Sequence, residues 1–144
     1  MSFDELYQSI LLDHYQHPRN AGPVHGATCS IHDHNPICGD EITVAMQIEN
    51  GKVAKVGFDG KGCAISVASA SMMTEQLQGK KIEDAKQDVE SFLSIMRNED
   101  EFDNHPEFEE LASLEGVKKL HARIKCATLS WNTAKRLLEG DSDS

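Results

Sequence analysis

The sequence predicts an α+β fold, in which helices pack on a small three-stranded antiparallel sheet. Two observations support this class. One stretch alternates apolar and polar residues and is followed by a two-residue turn and a returning stretch, which is the pattern of a β-hairpin. Most of the remaining chain carries apolar residues at helical spacing. With 144 residues, the chain is long enough for one core, so we predict a single domain over residues 1–144.

The N-terminal helix is predicted from a capping box and an apolar stripe. Ser2 and Glu5 have the spacing of the box, with the N-cap residue three positions before a glutamate. Pro18 disfavours helical geometry in the residue before it, so the helix should end near His17. The stripe consists of Phe3, Leu6, Tyr7, Ile10, Leu11 and His14.

Three strands are predicted after this helix. Residues 27–33 form the first candidate, and residues 41–49 form the second, where apolar side chains occupy every other position. Asn50-Gly51 is the favoured two-residue hairpin turn, and residues 52–59 then return antiparallel. The alternation predicts a sheet with one buried face.

The second half of the chain is predicted to be helical, interrupted by an acidic segment. The segment spans residues 98–117 and holds eight acidic residues and no lysine or arginine between Glu99 and Glu115. We expect a solvated loop with a short helix there, and a frayed tail at residues 140–144. The predicted helices are residues 64–78, 82–96 and 126–139.

The overall charge excludes several classes of protein. The net charge is −10, from 14 basic and 24 acidic residues, whereas nucleic-acid and anionic-membrane binding require basic surfaces. No apolar run approaches the roughly 20 residues of a membrane span. The N-terminus is acidic and lacks the pattern of a secretory signal, so we predict a cytoplasmic protein that binds neither nucleic acid nor membrane.

The cysteines are the most informative residues. In a cytosolic chain with a sizeable core, four cysteines favour metal binding or thiol chemistry over disulfides. Cys38 precedes Asn50 by 12 residues, and Cys63 follows Gly51 by 12 residues. A hairpin that turns at Asn50-Gly51 therefore brings Cys38, Asp40 and Cys63 to the same end of the sheet.

The position of Cys126 relative to this group stays open at this point. If Cys126 joins it, three thiolates and one carboxylate form a tetrahedral set that suits zinc, or iron in a cluster. Cys29 lies within a predicted strand and is expected to be a small buried apolar residue. His32 and His34 are held as substitute ligands only. No ligand role is expected for His14, His17, His25, His105 and His121.

At these residues the chain resembles the SufU branch of the IscU/NifU-N family of cluster-assembly proteins. The resemblance covers nearly the whole chain. Scaffold-type members carry a Leu-Pro-Pro-Val-Lys motif and a histidine before the third cysteine, whereas this chain lacks the motif and has Lys125 at that place. The matching motifs are LLDHY (11–15), HPRN (17–20), NPICGD (35–40), GKGCAISVASAS (60–71) and ARIKCATL (122–129).

The resemblance implies a fold, a site and a partner. The fold is a SufE/NifU-like α/β sandwich with a three-stranded sheet, in which residues 98–117 resemble the insertion of the SufU branch. The partners are a PLP-dependent cysteine desulfurase of the SufS type and downstream cluster-assembly proteins. The metal is zinc or, alternatively, a transient iron–sulfur cluster. The implied ligands are Cys38, Asp40, Cys63 and Cys126.

The expected activity is that of a zinc-dependent sulfurtransferase, a persulfide carrier rather than an enzyme of conventional turnover. Cys38 is the expected sulfur acceptor and Cys126 the alternative. Arg123 and Lys125 should stabilise thiolate or persulfide charge, and helix N-termini near Cys63 and Cys126 should favour thiolates. Two alternatives stay open, a scaffold that assembles an iron–sulfur cluster and an interaction module whose zinc is structural.

Overall fold

One helix, a three-stranded sheet and three further helices follow one another along the chain. The computed structural model describes residues 3–36 and 39–143. Two short 3₁₀ segments, Phe102–Asn104 and Leu111–Lys119, precede the last helix. The elements are α1 (Phe3–Gln16), β1 (Cys29–Asn35), β2 (Asp40–Glu49), β3 (Lys52–Lys61), α2 (Ala64–Leu77), α3 (Ile82–Met96) and α4 (His121–Leu138).

The sheet is antiparallel, with β2 between β1 and β3. Val44 at its centre pairs with Ile31 on one side and with Phe58 on the other. Asn50 and Gly51 both have positive φ, at 53° and 74°, as the favoured hairpin turn requires. The predicted hairpin and buried sheet face are confirmed. The buried apolar residues of β2 are Ile42, Val44 and Met46.

The helices cover this buried face, and α2 lies at the centre of the helical layer. It packs against α1, α4 and β3, which explains why nine of its residues are buried. In the core between α3 and α4, Trp131 stacks on Phe92 with the ring centroids 4.1 Å apart. The α+β class is therefore confirmed, including the arrangement of helices on one three-stranded sheet.

The acidic segment is packed rather than simply solvated, which corrects the expectation for residues 98–117. Its apolar side chains enter the core, while most of its carboxylates stay exposed. The apolar residues alternate irregularly with acidic ones. The sequence therefore shows neither a helical nor a strand period from which their burial could be predicted. The buried anchors are Phe102, Phe108, Leu111, Leu114 and Val117.

Two boundaries also differ from the prediction. Helix α4 begins at His121 rather than at Cys126, so Cys126 lies in its second turn. The expectation that a helix N-terminus favours the Cys126 thiolate is therefore wrong. At the other end of the chain, the Asp143 N–H donates to the Ser30 carbonyl at 2.8 Å, and the His32 N–H donates to Asp143 Oδ2 at 2.8 Å. The tail thus hydrogen-bonds to the free edge of β1 instead of fraying.

None of the helices in the described part of the chain combines the length and the apolar character needed to cross a membrane.

Candidate metal centre

Asp40 and Cys63 meet at one end of the β2–β3 hairpin. Asp40 is the first residue of β2, and Cys63 follows β3 by two residues. Glu41 pairs with Lys61 across the two strands. The Cys63 N–H then donates to Asp40 Oδ1 at 3.1 Å. The hairpin therefore places these two residues together, at the end of the sheet that the turn at Asn50-Gly51 predicts.

Two glycines permit this close approach. A Cβ atom at Gly60 would lie 2.1 Å from the carbonyl oxygen of Glu41, a distance that no side chain tolerates. A Cβ atom at Gly62 would lie 3.0 Å from Asp40 Oδ1 and 2.9 Å from Ser66 Oγ. Any larger residue at these positions must push the β3–α2 loop away from Asp40.

Cys126 reaches the same place through the packing of α4 on α2. Ser69 of α2 donates a hydrogen bond from Oγ to the Ala127 carbonyl at 2.5 Å. The indole N–H of Trp131 donates to the same Ser69 Oγ at 3.0 Å. Both partners of Ser69 follow Cys126 on α4, within five residues of it, so this buried hydroxyl fixes that part of the helix against α2. The sequence argument missed Ser69, because nothing in a run of alternating serine and alanine distinguishes the residue that forms the bridge.

One ligand atom each from Asp40, Cys63 and Cys126 lies within 4.8 Å of the other two. Asp40 is only 1% exposed. Its Oδ2 is buried and has no hydrogen-bond partner among the described residues. A buried carboxylate oxygen without a partner is costly, and a cation held by this oxygen and the two sulfurs would remove that cost. The donor set of two thiols and one carboxylate suits Zn²⁺.

Cys63 is the N-cap residue of α2, and its side chain makes no capping hydrogen bond. Its carbonyl oxygen instead accepts the first helical hydrogen bond, from Val67 at 3.1 Å. The sulfur is therefore not used by the helix and lies at its positive end, which favours the thiolate. The prediction of a helix N-terminus at Cys63 is confirmed.

Arg123 supplies a positive charge beside both sulfurs. It lies one turn before Cys126 on α4 and is exposed. A hydrogen bond to Cys126 raises the pKa of the Arg123 guanidinium, and the negative charges of Cys63 and Cys126 raise it further. A guanidinium placed in this way stabilises thiolate over thiol.

The group does not include the other candidates among the described residues. Cys38 lies outside the described residues, two positions before Asp40 in the chain. Cys29 is partly buried at the start of β1, with its sulfur 3.8 Å from the Met46 carbonyl. His32 is exposed, and its Nδ1 is 2.8 Å from Thr43 Oγ1. Lys125 lines a groove of about 360 Å³ with His34 at the end of β1. Asp40, Cys63 and Cys126 are thus grouped without either histidine.

The chain matches known proteins along almost its whole length. Residues 6–134 match the model of the family described as the NifU-like N terminal domain. The zinc-dependent sulfurtransferase SufU of Bacillus subtilis strain 168 is 40% identical over 135 residues, covering 94% of this chain and 90% of that protein. The iron–sulfur cluster assembly scaffold protein IscU of Streptococcus pyogenes serotype M1 is 33% identical, covering 98% and 87%.

A solved structure with the same fold comes from Fervidobacterium islandicum AW-1. It is described as a putative iron–sulfur cluster assembly scaffold protein for the SUF system. It is 27% identical, covers 96% of this chain and 97% of that chain, and superposes with a TM-score of 0.78.

Proposed function

We propose that this chain, which belongs to the family of NifU-like N-terminal domains, accepts persulfide sulfur from a cysteine desulfurase during iron–sulfur cluster assembly. The relatives support the general role, since one is a sulfurtransferase and another a cluster assembly scaffold. The sulfurtransferase is also the more similar of the two over a comparable share of the chain. That difference favours sulfur transfer as the specific activity.

The observation that carries the proposal is the convergence of Asp40, Cys63 and Cys126 with one buried carboxylate oxygen left unpaired. We assign these three residues as zinc ligands, and Cys38 as the fourth by its place in the motif. Bound zinc would keep the cysteines in the thiolate form at neutral pH and lower their reactivity. The hairpin brings Asp40 and Cys63 together, while the α2 N-terminus and Arg123 favour negative charge at the sulfurs.

The sulfur transfer is a thiol–disulfide type exchange with Cys38 as the acceptor. Its thiolate attacks the outer sulfur of the desulfurase Cys–S–SH group, and a new S–S bond forms on this chain. The bond between the two donor sulfurs breaks, and the desulfurase cysteine leaves as a thiolate. One negative charge is therefore present before and after the step, and the proton stays on the transferred sulfur.

Arg123 acts as an electrostatic partner of this exchange. Its guanidinium hydrogen-bonds to Cys126 and interacts electrostatically with Cys63, which raises the pKa of Arg123. Negative charge stays at the centre throughout the transfer, and a fixed cation beside it raises the fraction of reactive thiolate. Exposure of Arg123 on the surface leaves it accessible when a partner docks.

The proposed partner is a PLP-dependent desulfurase of the SufS type, acting in the cytoplasm, with later cluster-assembly proteins as recipients. The rival function is cluster assembly on the same ligands, favoured by the similarity to the streptococcal scaffold protein. A scaffold would bind iron and sulfide after anaerobic reconstitution and would pass the cluster to an apo-protein. A carrier would deliver sulfur without retaining iron.

Zinc content in matched cysteine variants tests the assignment of the site. We expect the cysteine centre to hold one zinc per chain in the protein as isolated, and this zinc to be lost in Cys63→Ser, Cys126→Ser and Asp40→Ala. Cys29→Ser is the control, because its partly buried sulfur lies 3.8 Å from the Met46 carbonyl, outside the ligand group, and should not affect the metal. Full zinc content in both Cys63→Ser and Cys126→Ser would contradict the assignment.

A further inference from the structure

A second group of possible metal ligands lies away from the centre described above. His14 of α1, Glu75 of α2 and Glu110, just before the second 3₁₀ segment, each offer one ligand atom within 4.8 Å of the other two. His14 Nε2 is 2.9 Å from Glu110 Oε2 and 3.7 Å from Glu75 Oε1. Three separate elements therefore converge on one point.

These separations match those around a bound transition metal. With bonds of about 2.0–2.2 Å to nitrogen and oxygen, neighbouring ligands at tetrahedral or octahedral angles lie about 3.0–3.5 Å apart. The two measured distances bracket this range. A cation could replace the proton between His14 and Glu110 with small movements of the two glutamate side chains, which are 44% and 52% exposed.

The imidazole is held in the way that metal-binding histidines are held. His14 is fully buried, and its Nδ1 lies 2.7 Å from Ser71 Oγ. Ser71 Oγ also accepts the Arg19 N–H at 2.8 Å, which fixes the hydroxyl in place. A partner on the second ring nitrogen orients a ligand histidine and sets its tautomer. When Nδ1–H donates to Ser71, the Nε2 lone pair faces the two carboxylates.

Two members of the cluster line an acidic cavity, and Arg19 interacts electrostatically with both of them. Glu75 and Glu110 line a cavity of about 210 Å³ together with Glu107 and Glu109, and no lysine or arginine lines it among the described residues. Glu107 also contacts His105, at 3.3 Å. Four carboxylates therefore line a space large enough for a cation with several waters, and two of them, Glu75 and Glu110, also contact the His14 ring.

We propose that His14, Glu75 and Glu110 form a second site for a divalent transition metal, with water completing the coordination. One imidazole nitrogen and two carboxylate oxygens suit Zn²⁺, Fe²⁺ or Mn²⁺ and exclude the thiolate chemistry of the first centre. The site is independent of the proposed sulfur transfer, because it shares no residue with the cysteine centre. It joins α1 and α2 to the acidic segment.

Zinc titration of the intact protein tests this site. Native mass spectrometry and chelator competition should show two equivalents per chain, and X-ray absorption should show only nitrogen and oxygen around the second. Glu110→Gln should weaken the second equivalent at least about tenfold, and Glu75→Gln/Glu110→Gln should abolish it. Glu109 lines the same cavity but lies outside the ligand group, so the Glu109→Gln variant should bind both zinc equivalents.

The glutamine variants keep the size of the side chain and an oxygen that accepts the His14 N–H, so folding should persist and can be checked by circular dichroism. Cys63→Ser should remove the first equivalent and leave the second, which separates failure of this site from failure of the proposed function. Saturation of the wild-type protein at one zinc, or a second equivalent unaffected by the double substitution, would overturn the proposal.

Discussion

The Cys63 N–H donates to Asp40 Oδ1 at 3.1 Å, which leaves Asp40 Oδ2 buried without a hydrogen-bond partner among the described residues. This bond joins the first residue of β2 to the N-cap of α2. One carboxylate oxygen thus fixes the backbone of a proposed zinc ligand, while the other remains available to the metal. Disturbing the bond should affect the metal more than the fold.

Gly62→Ala tests that relationship. The new Cβ would lie 3.0 Å from Asp40 Oδ1 and 2.9 Å from Ser66 Oγ, so the loop or the carboxylate must move. We expect zinc affinity to fall at least about tenfold, as for other losses of ligand orientation. Chelator competition measures this. Gly116→Ala, whose Cβ would meet no atom within 4 Å, should bind zinc normally, and equal affinity in both variants would contradict the steric argument.

Arg123→Gln should slow sulfur acceptance while leaving the thermal stability unchanged. The guanidinium hydrogen-bonds to Cys126 and interacts with the charge of Cys63, so its loss should lower the rate on the order of tenfold. Single-turnover transfer of ³⁵S from the desulfurase measures this rate. Lys125→Gln is the matched control, since Lys125 lines a separate groove at the end of β1. If Lys125→Gln slowed the transfer more than Arg123→Gln, the assignment of Arg123 as the charged partner of the exchange would be contradicted.

Asp100 and His105 should make the acidic segment sensitive to pH. His105 Nε2 is 2.7 Å from Asp100 Oδ2, and this bond, with a further one to Glu107, raises the pKa of His105. The hydrogen bonds from Asn104 and His105 lower the pKa of Asp100 to about 2. The His105 contribution is complete below about pH 6.5, its unfolded pKa, and is lost as pH rises through the raised folded pKa.

The Asp100 contribution has the opposite sign, because it is present above about pH 3.9 and is lost as pH falls towards about 2. Hydrogen exchange of residues 100–108, corrected for intrinsic rates, should therefore show greater protection at pH 6 than at pH 8.5. In NMR titrations, Asp100→Asn should lower the pKa of His105, whereas Asp103→Asn should not. An unchanged His105 pKa in Asp100→Asn would refute the pairing.

Trp131→Phe should destabilise the protein by about 2–3 kcal/mol. The indole is fully buried, stacks on Phe92 and donates to Ser69 Oγ at 3.0 Å, so the change removes a buried hydrogen bond and leaves a cavity. Urea unfolding of the metal-free protein measures the loss. Leu12→Ala, on the exposed face of α1, should change the stability by less than about 0.5 kcal/mol, and similar losses in both variants would contradict the core assignment.

The sequence was sufficient to predict the hairpin and the position of the site at its end. Alternation in β2 and the Asn50-Gly51 turn are local signals, and they determine the register that brings Asp40 to Cys63. The approach of Cys126 depends on a tertiary bridge through Ser69, which no local pattern encodes. Only the family resemblance pointed to Cys126 before the structure.

Other features escaped prediction because tertiary packing overrides local signals. Helix α4 starts at His121 with no side-chain hydrogen bond at its N-cap, so the sequence offers no start signal there. His14 continues the apolar stripe of α1, but its contacts are not local. A polar residue on such a stripe indicates polar partners, and those of His14 include Ser71 and Glu110, which lie 57 and 96 residues away.

Native mass spectrometry of the protein, before and after incubation with a cysteine desulfurase and cysteine, tests the central claim most directly. The proposed function predicts zinc in the isolated protein and a gain of one sulfur atom, about 32 Da, that disappears in Cys38→Ala and persists in Cys29→Ser. Bound iron with sulfide would indicate a scaffold. Zinc without any gain in mass would contradict sulfur transfer and leave the metal a structural role.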